Sequence, residues 1–167
     1  MARHYVRELV YGANDGIITT FAVVAGVAGG SLPLHVVLII GAANLFADGM
    51  SMAAGNYLAI RSHESVLQTQ GLPEEEASPL RHAAATFLAF VVAGIVPLAP
   101  YMIASWPAGR FVSSIGLTFL GMFGIGASRA LIADVRWWRA GFEMLGLGAV
   151  VAALAYGSGT LVAAIVG

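Results

Sequence analysis

Four side chains, Asn44, Asp48, Met52 and Asn56, recur at every fourth position through an otherwise apolar stretch. On a helix that spacing lines up an amide, a carboxylate, a thioether and a second amide along one stripe. A second carboxylate, Asp15, follows Asn14 beside an earlier apolar run. Two ionised carboxylates brought together in a low dielectric repel strongly, so either one holds a proton or a cation sits between them. Oxygen donors alone suit Mg2+, Ca2+ or Mn2+; a thioether adds preference for a softer first-row ion such as Fe2+. Each residue also has a structural reading. The aspartates could bond backbone or pair with an arginine, Met52 could pack, and the asparagines could bond between helices.

The elements that must position these groups are membrane spans. The 167 residues are 59% hydrophobic and 10% charged, with mean hydropathy +0.84, whereas soluble domains carry about 25% charge. That composition predicts an all-α integral membrane protein, and an ionisable group inside a span is a functional-site candidate by default. Net charge −1 and the absence of lysine argue against a nucleic-acid partner. The absence of cysteine removes disulfides and thiolate metal sites. A single domain over residues 1–167 is expected, with spans at about 9–30, 34–60, 83–105, 111–132 and 142–166.

Gly29 to Pro33 reads as a tight turn between the first two spans. Asp15 lies about 17 residues before Leu32 and Asp48 about 16 after it. At 1.5 Å per residue, two antiparallel helices place both carboxylates about 22 Å from the turn, at one depth. The Gly26/Gly30 pair would admit a close helix neighbour.

Two polar connections follow, at 61–81 and 134–143. The first holds His63, Glu64 and the run Glu74-Glu75-Glu76. The acidic run reads as a solvated helix start after Pro73. Its alternative is a cytoplasmic mouth that gathers cations through Glu64, Glu74, Glu75, Glu76 and His63, with His82 nearby. Arg3, Arg7, Arg61, Arg81, Arg129, Arg136 and Arg139 fall on one side of a five-span protein and only Arg110 on the other. The positive-inside rule therefore predicts a cytoplasmic N-terminus and a C-terminus outside or in a lumen.

Arg7 to Ala22, containing Tyr11-Gly12-Ala13-Asn14-Asp15-Gly16, resembles the first-span signature of the vacuolar iron transporter family. Asn44 to Ala59 resembles its second-span signature. Pro97 to Tyr101 and Trp137 to Leu145 are similar to the end of its third span and the start of its fifth. The resemblance implies a five-span homodimer with a pore between the two first spans, moving Fe2+ and often Mn2+ out of the cytosol in exchange for protons. It implies that Asp15 and Met52 line the pathway. The plant-type acid matches Asn44, and here Asp48 stands one turn further along the same stripe. Plant-type members carry a long Glu- and Met-rich domain where this chain has only the Met-free connection at 61–81. In this it is similar to the shorter prokaryotic or nodulin-like members.

The expected function is proton-coupled export of a divalent transition metal by a non-enzymatic homodimer, in the plasma membrane of a bacterium. Asp15, Asp48, Met52, Asn44, Asn56 and Asn14 would serve the metal, which is cargo, and no resident cofactor is expected. The other classes are a non-transporting membrane scaffold and an intramembrane aspartyl protease. The chain lacks the Gly-x-Gly-Asp context of such proteases, and a protease has no use for a thioether on the stripe.

Overall fold

The computed structural model describes residues 5–76, 78–103, 105–106, 109–131 and 134–166. Arg3 of the N-terminal basic group, Ala104 of the third span, Pro107 and Ala108 of the following turn, and Ile132 at the expected end of the fourth span lie outside the described residues. Among the described residues five helices follow in order: α1 (Val6–Gly29), α2 (Leu34–Thr69), α3 (Pro79–Met102), α4 (Arg110–Ser128) and α5 (Trp137–Val166), with a 3-10 turn at Arg129–Leu131. All five are long and apolar enough to cross a membrane, and the chain is an integral membrane protein. Large apolar side chains such as Ile39, Phe46, Val92, Leu120 and Leu154 remain exposed, as lipid-facing surfaces require.

Helix α1 is the hub. It packs most extensively against α3, then α5, and only narrowly against α2. Its glycines set this order. A Cβ on Gly12 would lie 2.5 Å from the Thr86 carbonyl, and one on Gly16 would run into the Phe90 backbone. At the far end Gly159 of α5 sits against the Gly26 carbonyl and the Gly30 nitrogen. The pair at Gly26 and Gly30 thus finds its close neighbour in α5. Lipid supplies little hydrophobic drive between helices, so such backbone-to-backbone contact carries the association. Ile17, Phe21, Val24, Phe90, Met122 and Met144 fill the core around it.

The turn between α1 and α2 closes as expected. Ser31 takes a left-handed φ of 54°, and the Leu32 amide reaches back to the Val27 carbonyl at 3.1 Å. Helix α2 then runs to Thr69, well past the span expected to end at Ile60. Its buried stripe is Val37, Gly41, Leu45, Gly49 and Ala53.

Helix α3 begins at Pro79, so Glu74 to Glu76 precede it instead of forming its first turn. The cause is local. Glu64 accepts the backbone N–H groups of Glu75 (3.2 Å) and Glu76 (2.8 Å), which holds that segment against α2. Pro79 then opens the helix at a position where its missing N–H costs nothing.

Pro97 and Pro100 lie inside α3. Beside them the buried Ser114 hydroxyl of α4 donates to the Pro97 carbonyl at 2.7 Å. Ser114→Ala removes this interhelical tie and should lower stability by about 1 kcal/mol, seen as a lower melting temperature of the detergent-solubilised protein. An unchanged melt would mean that the bond contributes nothing.

Candidate functional site

Asp15 and Asp48 each stand one residue before a glycine that faces α3. Gly16 packs on the Phe90 backbone, and a Cβ on Gly49 would lie 3.2 Å from the rings of Phe87 and Phe90. The two glycines therefore meet α3 at the same residue, Phe90, which sets the backbone of Asp15 and Asp48 at one level of the bundle. Helix α3 is wedged behind them, which is why α1 and α2 touch only narrowly. Both aspartates are half-buried. Among the described residues neither is paired with an arginine. The Asp15 carbonyl, not its carboxylate, accepts the Thr19 hydroxyl at 2.8 Å.

The stripe on α2 is rotated by one residue from the buried stripe. Asn44, Asp48 and Met52 precede the buried Leu45, Gly49 and Ala53, with Asn56 one turn further on, and a one-residue step is a 100° rotation on a helix. All four consequently sit at the edge of the packed face, half-buried. The Asn44 amide nitrogen is buried without a hydrogen-bond partner among the described residues. Met52 lies partly buried against the core. Asn56 is committed differently: its amide donates to the Thr86 hydroxyl at 2.9 Å, which donates on to the His82 carbonyl at 3.1 Å. Asn56 thus ties α2 to α3. Asn14 is half-buried beside Asp15.

The acids of the first connection do not gather at one point. Glu64 is buried and occupied by two backbone amides. Glu75 lies 3.1 Å from His63, and Glu74 accepts from Gln68 at 3.4 Å. Among the described residues no group of three or more His, Asp or Glu side chains is arranged to hold a metal ion.

One network escaped the sequence reading. His82, 1% exposed, lies with Nδ1 3.3 Å from Glu8 of α1 and Nε2 2.8 Å from Glu76 of the connection. Arg7 holds the same Glu8 oxygen at 2.9 Å. The arrangement staples the connection and the starts of α1 and α3 together, two helical turns before Asp15. Its only signal in the sequence is charge at the ends of two spans, which does not say that the two ends meet. Arg129 pairs with Glu143 at 3.1 Å.

The sequence model of the VIT family matches residues 6–76 and 64–160. Vacuolar iron transporter 1 of Arabidopsis thaliana is 24% identical over 212 aligned positions, covering 93% of this chain and 85% of that protein. Vacuolar iron transporter homolog 1 of Oryza sativa subsp. japonica is 29% identical over 92% of this chain and 72% of its own length. Vacuolar iron transporter homolog 5 of the same plant is 33% identical over 78% of this chain and 69% of its own. The Arabidopsis alignment is longer than the 167-residue chain, so that protein carries residues absent here. The two matched segments overlap at 64–76, the last residues of α2 and the start of the connection to α3. With all six residues of the candidate site inside the first segment and the five helices spanned by the two together, the chain belongs to the VIT family.

Proposed function

We propose that this protein exports a divalent first-row metal ion, Fe2+ or Mn2+, from the cytoplasm in exchange for protons. The observation that carries the reading is the pair Asp15 and Asp48, each beside a glycine that meets Phe90 in a membrane-spanning bundle, with no arginine paired to either among the described residues. Two such carboxylates are stable with a cation between them or with a proton on one, so loading metal and releasing protons are two sides of one equilibrium. Met52 adds a soft donor along the stripe and the unpartnered Asn44 amide orients groups around it. Asn14 contributes oxygen beside Asp15, while Asn56 serves chiefly to fix α2 on α3. Glu64, Glu74, Glu75, Glu76 and His63 give the cytoplasmic mouth a negative field that concentrates cations without caging them. The relatives' names, all vacuolar iron transporters or homologues of them, support iron as cargo. The arginine distribution favours a cytoplasmic N-terminus, which puts the acidic connection on the loading side. The plasma membrane of a bacterium suits the short connection.

A second copy completes the pathway in this reading. The aspartates are only half-buried in one chain, and Tyr11, Phe46 and Met50, on the same two helices, are about 60% exposed. Five spans do not divide into two equal inverted halves, so a two-fold dimer with α1 facing α1 is the economical assembly. The cysteine-free chain makes the test clean. Tyr11→Cys should cross-link to a dimer in membranes, whereas Leu80→Cys, on α3, should stay monomeric on the gel. Equal cross-linking from both positions would place the interface elsewhere.

The reading as a whole is tested by Fe2+ and Mn2+ uptake into proteoliposomes under an imposed pH gradient. Flux that follows the gradient supports it. Folded dimer that moves no first-row metal overturns it and leaves the scaffold reading.

A further inference from the structure

A cavity of about 630 Å³ opens between the cytoplasmic end of α2, the connection and the start of α3, away from the aspartates. Tyr57, Arg61, Glu64, Glu74, Ser78 and Arg81 line it. Among the described residues Arg61 and Arg81 form no ion pair, although carboxylates share their cavity. The carboxylates are engaged elsewhere: one Glu64 oxygen holds two backbone amides, and Glu76 faces His82. The two guanidinium groups are thus left open to an incoming anion, and planar guanidinium forks match phosphate oxygens. The second Glu64 oxygen is buried with no hydrogen-bond partner among the described residues, on a residue 8% exposed. It calls for a donor on the same ligand.

Depth identifies what brings phosphate here. Leu34 starts α2 at the turn. Arg61 lies about 40 Å along the helix from it, where the hydrocarbon has ended and the headgroups begin. Leu58 and Leu80 beside the cavity are 61% and 73% exposed and offer an apolar flank to acyl chains. We infer that this cavity binds the headgroup of an ethanolamine phospholipid, its phosphate on Arg61 and Arg81 and its ammonium on Glu64 and Glu74. A choline headgroup has no N–H to give Glu64. A purely anionic headgroup would set negative charge against Glu74. The lipid would brace the connection from the membrane side, opposite the staple at His82.

Native mass spectrometry of the purified full chain, titrated with tail-matched ethanolamine, choline and glycerol phospholipids, tests this. The ethanolamine lipid should be retained about ten-fold over the other two, the effect of one good charge-assisted bond. Arg61→Gln and Arg81→Gln should each abolish the preference while leaving the melting temperature of lipid-free protein unchanged, since neither guanidinium holds an ion-pair partner among the described residues. Free phosphoethanolamine and inorganic phosphate, lacking acyl chains, should not displace the lipid. Equal retention of the choline lipid, preferential retention of the glycerol lipid, a preference that survives both substitutions, or displacement by inorganic phosphate would each overturn the inference.

Discussion

Asp15→Asn and Asp48→Asn should each reduce metal flux in proteoliposomes by at least about a hundred-fold, with protein yield and dimer content unchanged. Asparagine fills the same volume and keeps one oxygen donor. It cannot ionise, so it neither balances a divalent cation nor releases a proton when one arrives. Removing a hydrogen-bond partner of a metal ligand already costs about 10–100-fold in affinity, and removing a charged ligand costs more. The fold should tolerate both changes, because among the described residues neither carboxylate is tied to an arginine and both are half-buried. Neutralising one of two repelling charges should stabilise the apo protein slightly. The combination of lost flux and an undiminished melting temperature is therefore the signature. Flux that survives both substitutions would place the pathway away from Phe90 and end the paired-carboxylate mechanism.

The second large effect is structural. Gly16→Val should strongly destabilise the protein and abolish flux together. A side chain at this position meets the carbonyl, carbonyl carbon and Cα of Phe90. Backbone cannot rotate away as a side-chain tip can, so α1 and α3 must separate. Overpacking in a tight core costs about 1–3 kcal/mol, and a backbone obstacle at the most extensive helix pair belongs at the upper end. The same shift would move Asp15 off its depth beside Phe90. Gly55→Ala is the control. A Cβ there meets nothing within 4 Å, so the change should leave both melting and flux intact. A Gly16→Val protein that melts like wild type would show that α1 and α3 do not meet at Gly16.

The two predictions separate chemistry from scaffold. Asp15 and Asp48 carry the charge, and Gly16 and Gly49 decide where that charge sits. An Asp-Gly pair on each helix couples the roles, because the small residue lets the backbone close on α3 and the carboxylate beside it then emerges at the rim of the contact.

Much of this was legible in the residues alone, and for local reasons. Whether a segment can cross a membrane depends on its own length and polarity, so five helices follow without knowledge of packing. The shared depth of Asp15 and Asp48 needs only the rise of a helix and the turn at Gly29 to Pro33. The first and second span motifs run continuously along the chain, so family membership was legible as well. Packing decided the rest. Each helix is free to rotate about its axis until it meets its neighbours, and no local periodicity encodes that angle. Only the fold wedges α3 between α1 and α2 and leaves the Asn44 stripe half-buried at the edge. Asn56 could equally have been a ligand until Thr86 came within 2.9 Å. The acids at 74–76 read as a helix start because the amide-binding oxygen of Glu64 is remote in sequence. Glu8, His82 and Glu76 come from three segments, and only the tertiary structure joins them, since charged groups buried together are stable only when the fold supplies each with its partner.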